Sequence, residues 1–157
     1  LSEPSFWEVM NSYEGPVWAS HHNCRSLVED PRQLSDEQIK ALIDRGSVIG
    51  SAFDAWMLSP NWIRGKSTPL GHEVYIKNVV DHIDHICQIA GNSNHCGIGS
   101  DLDGGFGTEQ SPCDLDTIAD IQSLIEILGN RGYSNNDVDA IMNGNFISFC
   151  AKYLPAG

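Results

Sequence analysis

At 157 residues the chain has the size of one domain, and with 41% apolar residues it can bury a core. Its formal net charge of −12 offers nothing to neutralise a phosphate backbone, which argues against nucleic acid, and the same acid excess argues against an anionic membrane surface. No apolar run reaches the length of a membrane span, and the five cysteines are odd in number, widely spaced and without a CxxC pair, so reduced thiols and a cytoplasmic location are expected.

Along the chain, residues 5–11 read as a helix closed by Gly15-Pro16, and a short apolar strand over 16–20 ends in His21-His22-Asn23. Ser35 with Gln38 three positions on forms a capping box for a helix that carries Ile39, Leu42 and Ile43 on one face and stops at Gly46. Residues 47–53 form a second apolar strand. The stretch 54–70, with Trp56 and Trp62, is too irregular for a regular element and long enough to be a functional loop. A helical stripe follows over 71–91, then a third strand over 96–100 and a loop, Asp101-Leu102-Asp103-Gly104-Gly105. The last two helices are expected at about 115–128 and from Ser134, capped with Asp137, to about Tyr153. Alternating short apolar strands and helices predict an α/β fold with parallel strands and right-handed crossovers, about three βα units within a single partial domain over residues 1–157. Three such strands leave two open edges, so the unit reads as part of a larger barrel or sheet.

Ligands in α/β folds bind at the C-terminal rim of the strands, where His21 and Asp101 both stand. A neutral imidazole with a carboxylate is a common hydrolytic metal set. Either residue alone reads as well as a strand-end cap; the pairing is what makes them candidates. Arg32, in the loop leaving the first strand, could hold a carboxylate bidentately, although an ordinary surface arginine is the commoner outcome. His22 should face away from His21 and serve as a loop hydrogen-bonder, and His82 and His85 should lie on a solvated helix face beside Asp81 and Asp84. His95 precedes the third strand, at the wrong rim for chemistry. A calcium loop at Asp101 fails because Gly105 and Pro112 stand where oxygen ligands are needed. A dinucleotide fingerprint at Gly97-Ile98-Gly99 fails because Leu102 holds the third glycine position.

The runs Pro16-Val17-Trp18-Ala19-Ser20-His21-His22-Asn23-Cys24-Arg25 and Pro31-Arg32-Gln33-Leu34-Ser35-Asp36-Glu37-Gln38-Ile39 resemble the membrane dipeptidase (renal dipeptidase) family of zinc peptidases, an amidohydrolase-like group. Gly97-Ile98-Gly99-Ser100-Asp101-Leu102-Asp103-Gly104 and Asn143-Gly144-Asn145-Phe146 continue the likeness in the family's order, which covers essentially the whole chain. The resemblance implies the C-terminal part of a (β/α)8 barrel, strands six to eight. It implies that His21 ligates zinc, that Asp101 is the catalytic acid near the metals, and that Arg32 contacts the terminal carboxylate of a dipeptide substrate. It also implies two zinc ions bridged by a hydroxide in the full enzyme. The family's His-x-Asp pair, bridging glutamate and strand-five histidine have no counterparts here. Leu1-Ser2 resembles the residues that follow that histidine, so the chain is expected to begin just past it and to need the missing N-terminal half of the barrel as partner. Phe53-Asp54-Ala55-Trp56 stands where many relatives carry Phe-Tyr, which leaves the preferred dipeptide open. The expected function is zinc-dependent dipeptide hydrolysis as part of that enzyme, with the isolated chain inactive. The alternative is a non-catalytic half-barrel; a homodimer is a further candidate assembly.

Overall fold

Three backbone segments run side by side and parallel because glycines let them approach closely. The computed structural model describes residues 2–154. β1 (Ile49–Ser51) pairs in parallel with β2 (Cys96–Ile98), with Gly50 opposite Gly97. On the other side of β1, Ala19 forms a parallel bridge with Ile49, extended by bonds from Ala19 N to Val48 O (3.1 Å), Gly50 N to Ala19 O (2.8 Å) and His22 N to Gly50 O (2.8 Å). The strand expected over 16–20 is therefore a single bridge. Only one edge of it is paired, and the chain bends at Ser20 and His21 before a ladder can lengthen. A Cβ on Gly50 or Gly99 would lie 2.3 or 1.9 Å from the Ser20 carbonyl oxygen, so bare backbone is required at both positions.

The helices follow the sequence signals with local differences. α1 (Glu3–Ser12) buries no residue and is tied down from outside. Arg45 donates to the carbonyls of Met10, Tyr13 and Gly15 at 3.1, 2.7 and 2.6 Å, and Arg25 pairs with Glu3 at 2.8 Å. α2 (Asp36–Asp44) has the expected reciprocal capping box between Ser35 and Gln38, and the chain turns at Gly46 with φ +67°. The stretch 54–70 contains one helical turn, α3 (Ala55–Leu58), capped by the Asp54 carboxylate. α4 (Ile76–Ala90) spans the apolar stripe but not the flanking residues 71–75, and starts where the Asp114 carboxylate accepts the Ile76 amide at 2.8 Å. It ends at Gly91 in the left-handed region.

The helix expected from 115 is delayed, because Asp120 accepts the amides of Asp116 and Thr117 and holds a 3₁₀ turn, Ile118–Gln122, ahead of α5 (Ser123–Asn130). The last helix starts with the expected Ser134–Asp137 capping box as α6 (Asn135–Asp139), widens into a π turn over Ala140–Gly144, and continues as α7 (Asn145–Tyr153). The widening seats Asn145, whose Nδ2 donates to the carbonyls of Ser93 and Cys96, both at 2.7 Å. The next residue, Phe146, packs where a Gly97 side chain would stand.

The core lies between these helices and the sheet, with Ile49, Phe53, Ile76, Ile83, Ile86, Leu124, Leu128 and Ile141 fully buried. His82 lies among them, only 1% exposed, and its Nδ1 accepts the Cys24 amide at 3.0 Å, so the solvated face expected for it is wrong. The i, i+3 spacing put it on the apolar side of α4, and a backbone donor satisfies it there. His85 does face out, bonded to Asp36 and Ser26 at 2.8 and 2.9 Å. The thiols of Cys87, near the end of α4, and Cys96, in β2, come within 3.3 Å.

Candidate functional site

A cleft of about 350 Å³ opens at the C-terminal rim of the parallel segments, and His21, Arg32 and Asp101 all line it. Three loops build it, and a buried polar network fixes them to one another. Asn23 pairs with Ala52 in both directions, Oδ1 accepting the amide at 3.0 Å and Nδ2 donating to the carbonyl at 3.1 Å, which continues strand pairing through a side chain. Gln33 donates to the Met57 carbonyl at 2.9 Å and accepts the Asn23 amide at 3.3 Å. The His21 loop, the Arg32 loop and the α3 turn are thereby one unit. Both amides are about 1% exposed, so loss of either would strand several buried partners.

His21 Nδ1 lies 2.8 Å from Ser20 Oγ, and the tautomer that donates this bond leaves Nε2 with a free lone pair. His22 does not face away: its ring stacks on that of His21 with centroids 5.4 Å apart. The bend at Ser20 removes the alternation of an extended strand. The His22 ring is also not the expected hydrogen-bonder, since its Nδ1 is buried with no partner among the described residues, while its amide donates to Gly50. Burial first, then the neighbouring His21 and Arg32 charges, lower its pKa to about 4, so the ring is neutral.

Asp101 adopts φ +58°, the left-handed region that a non-glycine residue enters at a cost of order 1 kcal/mol. That conformation turns the chain at the strand end, and the Asp101 carbonyl accepts the Gly104 amide at 2.8 Å. A Cβ on Gly104 would lie 2.9 Å from the Asp101 carboxylate, so the glycine makes room for the acid. Asp103 does not line the cleft.

Trp56, Asp54 and Arg64 also line the cleft, and the sequence assigned none of them a role. Trp56, 8% exposed, carries the Arg32 guanidinium 5.7 Å and the Arg64 guanidinium 4.9 Å from its ring centroid. Burial raises the pKa of Asp54, opposed by its bond from the Trp56 amide. The irregular, tryptophan-bearing character of residues 54–70 was the available signal; nothing in the spacing singled out Arg64.

The chemistry here is that of an open, polar rim with one imidazole, two carboxylates and two guanidinium groups. Among the described residues, no three His, Cys, Asp or Glu side chains come together to hold a metal ion. The residues present thus fit a single imidazole ligand and not a whole metal site. No helix among the described residues is long and apolar enough to cross a membrane.

In parallel α/β scaffolds the rim at the C-terminal ends of the strands is where ligand sites are built. The chain belongs to the membrane dipeptidase family, peptidase family M19, which matches residues 1–152. It is 31% identical over 147 residues, 94% of its length, to an uncharacterized Klebsiella pneumoniae protein of the pqqA 5′ region, and covers 50% of that protein. It is 27% identical over 139 residues to human dipeptidase 3, covering 88% of this chain and 26% of the relative. The chain therefore spans half or less of these curated relatives. Among solved structures, the dipeptidase AC, a metallopeptidase of family M19, superposes with a TM-score of 0.83 at 21% identity over 99% of this chain and 43% of its own. A Rhodobacter sphaeroides metallopeptidase, liganded with a phosphinate mimic of L-Ala-D-Ala, superposes with a TM-score of 0.79 at 21% identity over 98% and 40%. These likenesses show the fold, an α/β unit with parallel strands that matches part of M19 structures.

Proposed function

We propose that the chain forms the C-terminal part of a (β/α)8 metallo-dipeptidase, a single partial domain carrying the substrate-carboxylate side of the site and one metal ligand. The observation that carries this reading is the convergence of His21, Arg32 and Asp101, drawn from three separate loops, on one cleft. Arg32, held over Trp56, binds the terminal carboxylate of a dipeptide. His21 offers Nε2 as a zinc ligand while Ser20 fixes the ring. Asp101, pre-set by its backbone turn, sits to take or hold a proton beside the scissile bond. Zinc, two ions in the complete enzyme, would supply Lewis acidity and a water of lowered pKa. The apolar groove of Phe6, Val9, Met10, Val17 and Trp18, beside the unpaired side of the Ala19 bridge, supports the missing N-terminal half as its partner.

The test is to measure L-Ala-L-Ala binding, zinc content and hydrolysis on the purified chain. Dipeptide binding that falls about tenfold or more in Arg32→Gln supports the reading, since one charge-assisted pair is lost. Binding unaffected by that substitution overturns it. The incomplete ligand set predicts less than two zinc ions per chain and little turnover, and rapid hydrolysis by the chain alone would refute the division of the site. A non-catalytic half-barrel is the second reading, favoured by that same incomplete set. It is distinguished by adding the upstream half of the barrel: activity that appears then belongs to the enzyme reading.

A further inference from the structure

The cleft holds one arginine more than a single terminal carboxylate needs. In a chain with 9 basic and 21 acidic residues, two guanidinium groups meet at one indole, Arg32 at 5.7 Å and Arg64 at 4.9 Å from the Trp56 centroid. They are no farther apart than those two distances combined. The other two arginines with charge partners, Arg25 and Arg131, are paired to Glu3 and to Asp81 and Asp84. Among the described residues neither Arg32 nor Arg64 is in an ion pair, although Asp54 and Asp101 line the same cleft. The Asp54 carboxylate is turned to another task, accepting the Trp56 amide as the cap of α3. Stacking on a buried indole restricts a side chain that is otherwise flexible, so part of the ordering cost is met before a ligand arrives.

We infer that Arg64 is a second anion-binding point, which selects dipeptides bearing another carboxylate on the C-terminal residue, aspartyl or glutamyl. This rests on the assignment of Arg32 to the terminal carboxylate. A dianionic residue then spans both guanidinium groups, while a neutral one leaves Arg64 in water. Arg64 is a specificity determinant and has no part in bond cleavage.

The experiment titrates the chain with L-Ala-L-Glu and with its neutral isostere L-Ala-L-Gln, following the Trp56 indole N–H resonance, for the natural sequence, Arg64→Gln and Arg32→Gln. The natural chain should bind L-Ala-L-Glu about tenfold more tightly, as one added charge-assisted pair allows. Arg64→Gln should bring L-Ala-L-Glu down to the L-Ala-L-Gln level, and Arg32→Gln should weaken both ligands alike. Equal binding of the two ligands by the natural chain, or a preference that survives Arg64→Gln, overturns the inference. If Arg32→Gln changes nothing while Arg64→Gln removes the preference, the terminal-carboxylate assignment fails and the second anion point stands. If Arg32→Gln weakens both and no preference exists, the reverse holds.

Discussion

Gly99→Ala should destabilise the protein through a single oxygen atom. The added Cβ would lie 1.9 Å from the Ser20 carbonyl oxygen and 3.0 Å from the Gly50 carbonyl carbon, both backbone atoms that no rotamer change can move. Relief requires the Ser20 segment to retreat by more than an ångström. That retreat breaks the bonds from Gly50 N to Ala19 O and from His22 N to Gly50 O, each 2.8 Å. Two such bonds, with their groups left unsatisfied, are together worth about 3 kcal/mol. For a domain of this size that corresponds to a fall in Tm of about 6–12 °C. Gly129→Ala is the internal control: it lies in α5 with nothing within 4 Å of its Cβ, and should gain about 1 kcal/mol of helix propensity. Thermal unfolding followed by circular dichroism reads both. A Gly99→Ala variant that melts within about 1 °C of the natural chain would refute the close-approach argument, because even one lost hydrogen bond exceeds that.

His82 makes stability fall with acid. Its folded pKa is lowered from 6.5 to about 4, chiefly by burial, so the unfolded chain binds the extra proton. The stabilisation is complete above pH 6.5 and is lost as pH falls toward 4; His82→Asn, which keeps an acceptor for the Cys24 amide, should reduce the slope of Tm over that window, leaving the share due to His22. A profile as steep as the natural chain's would exclude His82 as the cause. Asn145→Ala frees the carbonyls of Ser93 and Cys96 and should cost about 2 kcal/mol in urea unfolding, with α7 exchanging amide hydrogens faster. Ser35→Ala removes one side of the α2 capping box and should cost about 1 kcal/mol by the same measurement.

Local rules were legible in the residues themselves. The capping boxes at Ser35 and Ser134, the stop at Gly46 and the apolar stripe of α4 depend on neighbours a few positions away, and the structure repeats them. The rim location of His21 and Asp101 was legible too, because a strand followed by a polar loop has only one end at which to place a side chain. Partners distant in the chain were not legible. His82 was misjudged because its satisfying donor, the Cys24 amide, is 58 residues away, and the delay of α5 came from Asp120 competing for the backbone.

By itself, then, the sequence determined the main helices, the parallel α/β class and the family likeness, all consequences of periodicity, capping and motif order. Only the tertiary structure decided that Asn23 and Gln33 weld three loops into one floor, that His22 stacks on His21, and that Arg64 joins Arg32 on Trp56. Those outcomes depend on loops meeting across tens of residues, and they were settled where the glycines at 50 and 99 let backbones come within reach of one another.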